Sequence, residues 1–330
     1  MFRISATARI QRADLLQQIT HVLKLKRHRA LALLPLACLL VSCGSAVLDP
    51  AGDVARQQRD LIYISTGLML LIIVPVMILT VVFAWHYRKG GKGTYDPGFD
   101  HSTTLELAIW SAPLLIIIAL GALTWASTHL LDPFRPLDSR RDEKPLVVQV
   151  VSLDWKWLFI YPEQGVATVN ELVLPVQRQV RFDITSSNMM NTFYVPTLAG
   201  MIYAMPGMRS QLHAVLDREV ESHGYSANYS GAGFTHMRFR FEGVDDAGFE
   251  NWVGRVRQSG NAFDLPAYRE LLEPSERVPV MHFASIDQDL FRRTVERCIE
   301  PGTPCMSELM VHRDHGAGGA TAAAPGDAAP

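Results

Sequence analysis

The chain has little of several things, and each scarcity removes a class of function. Its 330 residues hold four cysteines, Cys38, Cys43, Cys298 and Cys305. They form no Cys-x-x-Cys pair, so neither a zinc ribbon nor a thioredoxin-like redox site is indicated. No Cys-x-x-Cys-His run is present to attach a haem, and there is no phosphate-binding glycine loop and no nucleophilic triad. No Lys/Arg-rich run of five to eight appears, and the formal net charge is −2. That gives no footing for nucleic acid. Charged residues make up only 19% while hydrophobic residues reach 48%, the balance expected of membrane segments joined to a water-facing part.

What is present begins with a leader. Lys24, Lys26, Arg27 and Arg29 precede an apolar run from Ala30 to Ser42. The run is too short to span a bilayer but suits the core of a signal peptide. It closes Leu40-Val41-Ser42-Cys43-Gly44, small residues ahead of a cysteine, which resembles a bacterial lipobox. Cys43 would then be acylated as the mature N-terminus, and Cys38 would leave with the signal. A plain signal peptide with an incidental cysteine is the alternative. The stretch before Lys24 is long for a leader, and the true start is left open.

Two uncharged runs follow, Leu61 to Trp85 and Leu107 to Leu131, each long enough for a spanning helix. Pro75 and Pro113 lie inside them, and Trp85 and Tyr87 stand where an interfacial belt would be. The basic residues do not settle orientation. Arg88, Lys89 and Lys92 lie between the runs, but Arg56, Arg59, Arg135, Arg140, Arg141 and Lys144 flank them. A cleaved lipoprotein signal places Cys43 outside, and parity then puts the connecting loop in the cytoplasm and Lys144 onward in the periplasm.

From Pro145 the pattern changes to short strands. Val147–Val151, Trp155–Tyr161, Asn170–Leu174, Val180–Ile184, Gln211–Leu216 and Met237–Phe241 read as strands, and Val180, Phe182 and Ile184 alternate with Arg181 and Asp183. Several such runs broken by turn residues indicate an all-β sandwich. Beyond Gly243, Phe249, Trp252, Val253 and Val256 form a helical stripe, and Leu265–Leu272 and Ile286–Ile299 continue in that manner. The expected division is a signal peptide (1–42), a periplasmic N-terminal segment (43–60), transmembrane helices at 61–85 and 107–131 around a cytoplasmic loop (86–106), a sandwich (145–243), a C-terminal helical region (244–312) and a disordered tail (313–330).

The stretch Ser187-Asn188-Met189-Met190-Asn191-Thr192-Phe193-Tyr194-Val195-Pro196 and the later run from Gly224 to Met237 resemble subunit II of the haem–copper respiratory oxidases. In that family a histidine in the first segment and a Cys-x-x-x-Cys-x-x-x-His-x-x-Met run in the second hold a two-copper centre. Here the first histidine falls on Asn191, the two bridging cysteines on Ser226 and Ser230, and the second histidine on Phe234. A carbonyl-donating glutamate falls on Asn228, and only Met237 is kept. Hydroxyl, amide and phenyl groups are poor copper ligands beside thiolate. The resemblance is therefore to the quinol-oxidising branch, the cytochrome bo-type ubiquinol oxidases. It covers roughly residues 31–291, including Leu153 to Gly165 and the turn Tyr203-Ala204-Met205-Pro206-Gly207-Met208.

The resemblance implies a cupredoxin fold for the sandwich. It implies no cofactor in this chain, with haem b, haem o and one copper in a partner subunit I that also binds ubiquinol. Subunits III and IV and the lipid bilayer complete the expected partners, and cytochrome c is not among them. The complex would oxidise ubiquinol, reduce oxygen to water and pump protons. Glu106 opens the run Glu106-Leu107-Ala108-Ile109-Trp110-Ser111-Ala112-Pro113, similar to a family motif whose glutamate stands at the mouth of a proton pathway. Its plainer reading is a carboxylate at a helix N-terminus. Trp155 and Trp157, without a copper centre to feed, read as core or docking residues, and the Tyr203–Met208 turn as a docking element.

The rival readings are a copper-bearing cytochrome c oxidase subunit II and a non-enzymatic membrane-anchored cupredoxin-like lipoprotein. Menaquinol in place of ubiquinol is a variant of the main reading. Cys298 and Cys305 allow a disulfide in the periplasm, free thiols, or a metal site drawing on Cys305, Met306, Glu308, Met310, His312 and His315.

Overall fold

In the computed structural model the described residues are 46 to 310, except 92, 95, 97, 100, 138–142 and 301. The signal peptide, Cys43, His312, His315 and the tail from 313 lie outside the described residues. The chain divides into two units, 1–49 and 50–330. Of the first, only the turn at 46–49 is described.

The larger unit starts with two long helices, α1 (Asp53–His86) and α2 (Thr103–Leu130). Both are long and apolar enough to cross a membrane, with mean hydropathy of 2.8 and 2.2 over their most apolar windows. They cover the two expected spans to within a residue. Several hydroxyls are satisfied within the helices: Thr80 Oγ1 donates to the Val76 carbonyl, Thr124 to Leu120 and Thr128 to Thr124. That is the arrangement a hydrocarbon surrounding demands. Leu71, Met77, Val81, Trp110 and Ile117 are exposed along the two helices, a surface suited to lipid or partner helices.

The sandwich follows. One sheet has six strands in the order β12-β3-β2-β1-β5-β8, and the other has five in the order β4-β10-β9-β6-β7. In chain order these are β1 (Leu146–Leu153), β2 (Lys156–Tyr161), β3 (Val166–Val169), β4 (Glu171–Pro175), β5 (Gln179–Ser186), β6 (Asn191–Tyr194), β7 (Ile202–Ala204), β8 (Ser210–Val215), β9 (Val220–Ser226), β10 (Arg238–Val244) and β12 (Met281–Phe283). The β1–β5 and β10–β4 pairs are parallel and the rest antiparallel. Between the sheets lie Trp157, Phe159, Phe182, Phe193 and Phe239. Phe193 and Phe239 stack with centroids 5.6 Å apart, and Phe159 meets Phe239 edge-on at 4.9 Å. Burial of aromatic surface on this scale supplies most of the sandwich's cohesion.

The C-terminal region adds its first helix to the main core and covers the outer face of the six-stranded sheet with the rest. It contains α3 (Asp246–Arg257), α4 (Leu265–Leu272) and α5 (Leu290–Val295). The stripe Phe249, Trp252, Val253 and Val256 is buried on α3 as expected. Asp245 and Asp264 cap α3 and α4, accepting from Gly248 N and Ala267 N. The stretch expected to be helical over 286–299 is helical only at Leu290–Val295. The region also adds strands: β12 extends the six-stranded sheet, and β11 (Ala262–Phe263) pairs with β13 (Ser285–Ile286). A second core of Leu158, Ile160, Val169, Phe263, Tyr268, Phe283 and Phe291 results.

The segment ahead of α1 is built into the sandwich. Ala51 N and Gly52 N both donate to the Thr197 carbonyl, and Asp217 N donates to Ala51 O. Ala51 and Val54 join the main core. Arg56 ties the first turns of α1 to the sheet through Asp217, 2.6 Å away, and to Asp53.

Candidate functional site

The positions singled out by the sequence gather at one end of the five-stranded sheet. Asn191 opens β6, Ser226 ends β9, and the connection to β10 runs through a turn of 3-10 helix at Phe234–His236 before Met237. Ser226 Oγ donates to Asn191 Oδ1 at 2.9 Å, with the Asn228 carbonyl 3.3 Å away. Asn191 Nδ2 donates to Met189 O, and Asn228 Nδ2 to Met190 O. Ser226 N donates to Met237 O at 3.2 Å. The two strand ends are thus joined by a network of neutral amides and one hydroxyl.

The remaining positions serve packing. Met237 is buried within the main core. The Phe234 ring meets the exposed Tyr229 ring edge-on at 5.8 Å. Ser230 is buried; its carbonyl accepts from Trp155 Nε1 at 2.8 Å, while its hydroxyl has no partner. The Trp155 indole lies under this loop, so close that a Cβ at Gly231 or Gly233 would meet it. Trp157 is fully buried. This donor set does not fit a two-copper centre. Such a pair requires soft anionic bridging ligands, and here the bridging positions are alcohols, one of them committed to an amide.

Glu106 stands elsewhere. It lies exposed in the first turn of α2, some 24 residues before the end that leads to the sandwich. At 1.5 Å per residue the separation along the helix is about 36 Å. Glu106 thus stands at the end of α2 away from the sandwich.

The structure also assembles groups that sequence reasoning did not single out. Glu171 is buried, and its Oε2 accepts from Trp252 Nε1 and from His282 Nε2, both at 2.8 Å. This carboxylate joins β4, α3 and β12. Lys156 is buried with its three protons directed at Glu273 O (2.8 Å), Ser275 Oγ (2.5 Å) and Asp154 O (3.3 Å). Burial lowers its pKa, opposed by the Asp154 and Glu273 charges. It clamps the β1–β2 turn to the end of α4. Burial also pushes the Tyr161 hydroxyl well up, and that of Tyr268 up to about 12.

Cys298 and Cys305 are joined in a disulfide. Their sulfurs lie within 4.8 Å of a Glu296 carboxylate oxygen, but paired sulfur offers no thiolate to a metal.

The comparisons with known proteins fall into line with this geometry. The family described as "Cytochrome C oxidase subunit II, periplasmic domain" matches residues 162–244, and "COX Aromatic Rich Motif" matches 257–302. Among curated relatives, "Cytochrome bo(3) ubiquinol oxidase subunit 2" of Pseudomonas putida is 51% identical over 260 residues, covering 78% of this chain and 82% of the relative. The protein of that name from Pseudomonas aeruginosa is 46% identical, covering 77% of each chain. "Ubiquinol oxidase subunit 2" of Acetobacter aceti is 44% identical, covering 79% of this chain and 85% of the relative.

Proposed function

The chain belongs to the family of ubiquinol oxidase subunit 2 proteins and is a membrane-anchored part of an oxidoreductase complex, and from that premise we infer that its complex draws electrons from ubiquinol without a copper relay in this subunit. The observation that carries the reading is the Ser226–Asn191 hydrogen bond. A copper-bearing relative would need a thiolate and an imidazole at those two positions. With Ser230 and Phe234 at the other ligand positions, one thioether, from Met237, is the only soft group left, and a lone thioether does not hold a copper pair.

In this reading the chain is a structural and electrostatic subunit. Its hairpin of α1 and α2 crosses the membrane beside subunit I, and its sandwich caps that subunit from the periplasm. Haem b, haem o and one copper belong to subunit I, where ubiquinol is oxidised and oxygen reduced to water, with protons translocated. Subunits III and IV complete the assembly. Cys43 carries the acyl anchor, and the loop between α1 and α2 faces the cytoplasm. Glu106, on the loop side of α2, then collects protons at the membrane boundary, where a carboxylate stays partly solvated.

Metal and haem analysis of the purified native complex tests the reading. The expected result is haem with about one copper per complex and no near-infrared copper-pair band. The complex should turn over with ubiquinol and not with reduced cytochrome c. Two further coppers per complex, with that band, would overturn it.

A further inference from the structure

His213 lies on β8 where the sheet meets the exit of α2. Its imidazole is buried, only 7% exposed, and its ring Nδ1 is 3.0 Å from Gln179 Nε2. This pairing is satisfied by a neutral ring that accepts at Nδ1 and carries its proton on Nε2. The His213 backbone N–H donates to the carbonyl of Pro133, 3.0 Å away, three residues beyond the end of α2. His213 lines a cavity of about 70 Å³ together with Val54 and Gln58 of α1 and Leu131, Asp132 and Pro133 of the exit. Most of its lining is apolar, but Gln58, Asp132 and His213 bring polar groups to it, and a cavity of that size has room for a water bound between them, which gives a proton a route to the ring. The same strand thus holds the exit of the membrane helix by its backbone and carries a titratable ring beside it.

We propose that His213 is a proton-operated joint: neutral, it lets β8 hold the exit of α2 against the sandwich, and protonated, it loosens that contact. Protonation turns Nδ1 from acceptor to donor, leaving it facing another donor, so the Gln179 amide must turn over or move away. Neighbouring charge is mixed and on balance does not favour the imidazolium. Arg181 stands directly across the sheet from His213. Asp183, the carboxylate on that strand, is engaged by Arg181 at 3.3 Å and by Gln211 at 3.2 Å. On the exit segment, Asp132 lines the same cavity as His213, and its Oδ1 accepts from Phe134 N. The residues of α1 at the cavity, Val54 and Gln58, are uncharged.

Burial first, and the Arg181 charge second, hold the imidazole below its ordinary value, with Asp183 opposing. The sign follows. The closed joint binds its proton less readily than an opened one, so the contact is complete above the ordinary imidazole value of about 6.5. It weakens as pH falls below that value, because acid draws the population toward the form that takes up the proton.

Amide hydrogen exchange on the intact complex between pH 8 and 5, corrected for intrinsic rates, tests this. Peptides covering 130–137 and 210–216 should lose protection several-fold below about pH 6.5, and His213→Gln should abolish that pH dependence. A flat wild-type profile, or the same acid loss in the variant, would overturn the proposal. A second measurement needs no variant: exchange at the imidazole carbon reads the His213 pKa in the unmodified complex. A value below that of free histidine supports the joint, and a value at or above it rejects the joint even if the variant does not fold.

Discussion

Removing the carboxylate of Glu171 leaves two N–H groups, on Trp252 and His282, without their acceptor. Trp252 is buried, and an unmet buried donor costs about 1–3 kcal/mol, whereas water can reach the partly exposed His282, so Glu171→Ala should destabilise the periplasmic part by roughly 1–3 kcal/mol. Glu171→Gln keeps an acceptor oxygen and should cost less. Scanning calorimetry of the purified complex would show the difference, and equal transition temperatures for wild type and Glu171→Ala would mean that the junction contributes nothing. Sequence reasoning had no access to this residue because its partners lie 81 and 111 positions away. Asn191 and Ser226 are also distant, 35 positions apart. They were nevertheless legible, because a resemblance to a spaced ligand pattern named both. A site with a motif can be read across sequence distance, whereas a site made only by packing cannot.

At the scale of elements, legibility followed the number of faces each element buries. The stripe on α3 and the strand β10 each alternate buried with less buried positions, and their periods showed. β2 is buried on both faces, by the sandwich core and by the C-terminal region, so it reads as a continuous apolar run. β9 was missed for the opposite reason. Its inward positions include Ser222, Gly224 and Ser226, small because the Phe239 ring occupies the space over Gly224. A strand that makes room for a neighbour's aromatic ring carries little hydrophobic signal of its own. The segment before α1 was likewise unread as part of the sandwich. Gly52 sits against the backbone of Leu198, where an added Cβ would strike the Leu198 carbonyl oxygen. Gly52→Val should therefore unseat residues 50–55 at a cost of about 1–3 kcal/mol. Limited proteolysis should then cut the chain near residue 52 in an otherwise folded complex; unchanged resistance would show that the segment can shift without loss.

Across the whole molecule, α2 joins two regions with different work. At one end its exit is held by the sandwich through Pro133 and β8; at the other, Glu106 is exposed in the first turn. The carboxylate sits about 36 Å along the helix from the sandwich, beyond the reach of a screened charge. Substituting it should therefore not disturb the folded periplasmic part, which makes the proton-collecting role separable from stability. Glu106→Ala should lower oxygen-consuming turnover with ubiquinol severalfold and slow proton uptake, while the thermal transition and haem content stay as in the wild type. Glu106→Asp, which keeps the charge, should restore most of the turnover. If Glu106→Ala turns over and takes up protons as the wild type does, the residue is only a favourable charge at a helix N-terminus, worth about 0.3–1 kcal/mol. If turnover falls together with the thermal transition, the defect lies in the hairpin's packing, and proton collection has to be sought in the partner subunit.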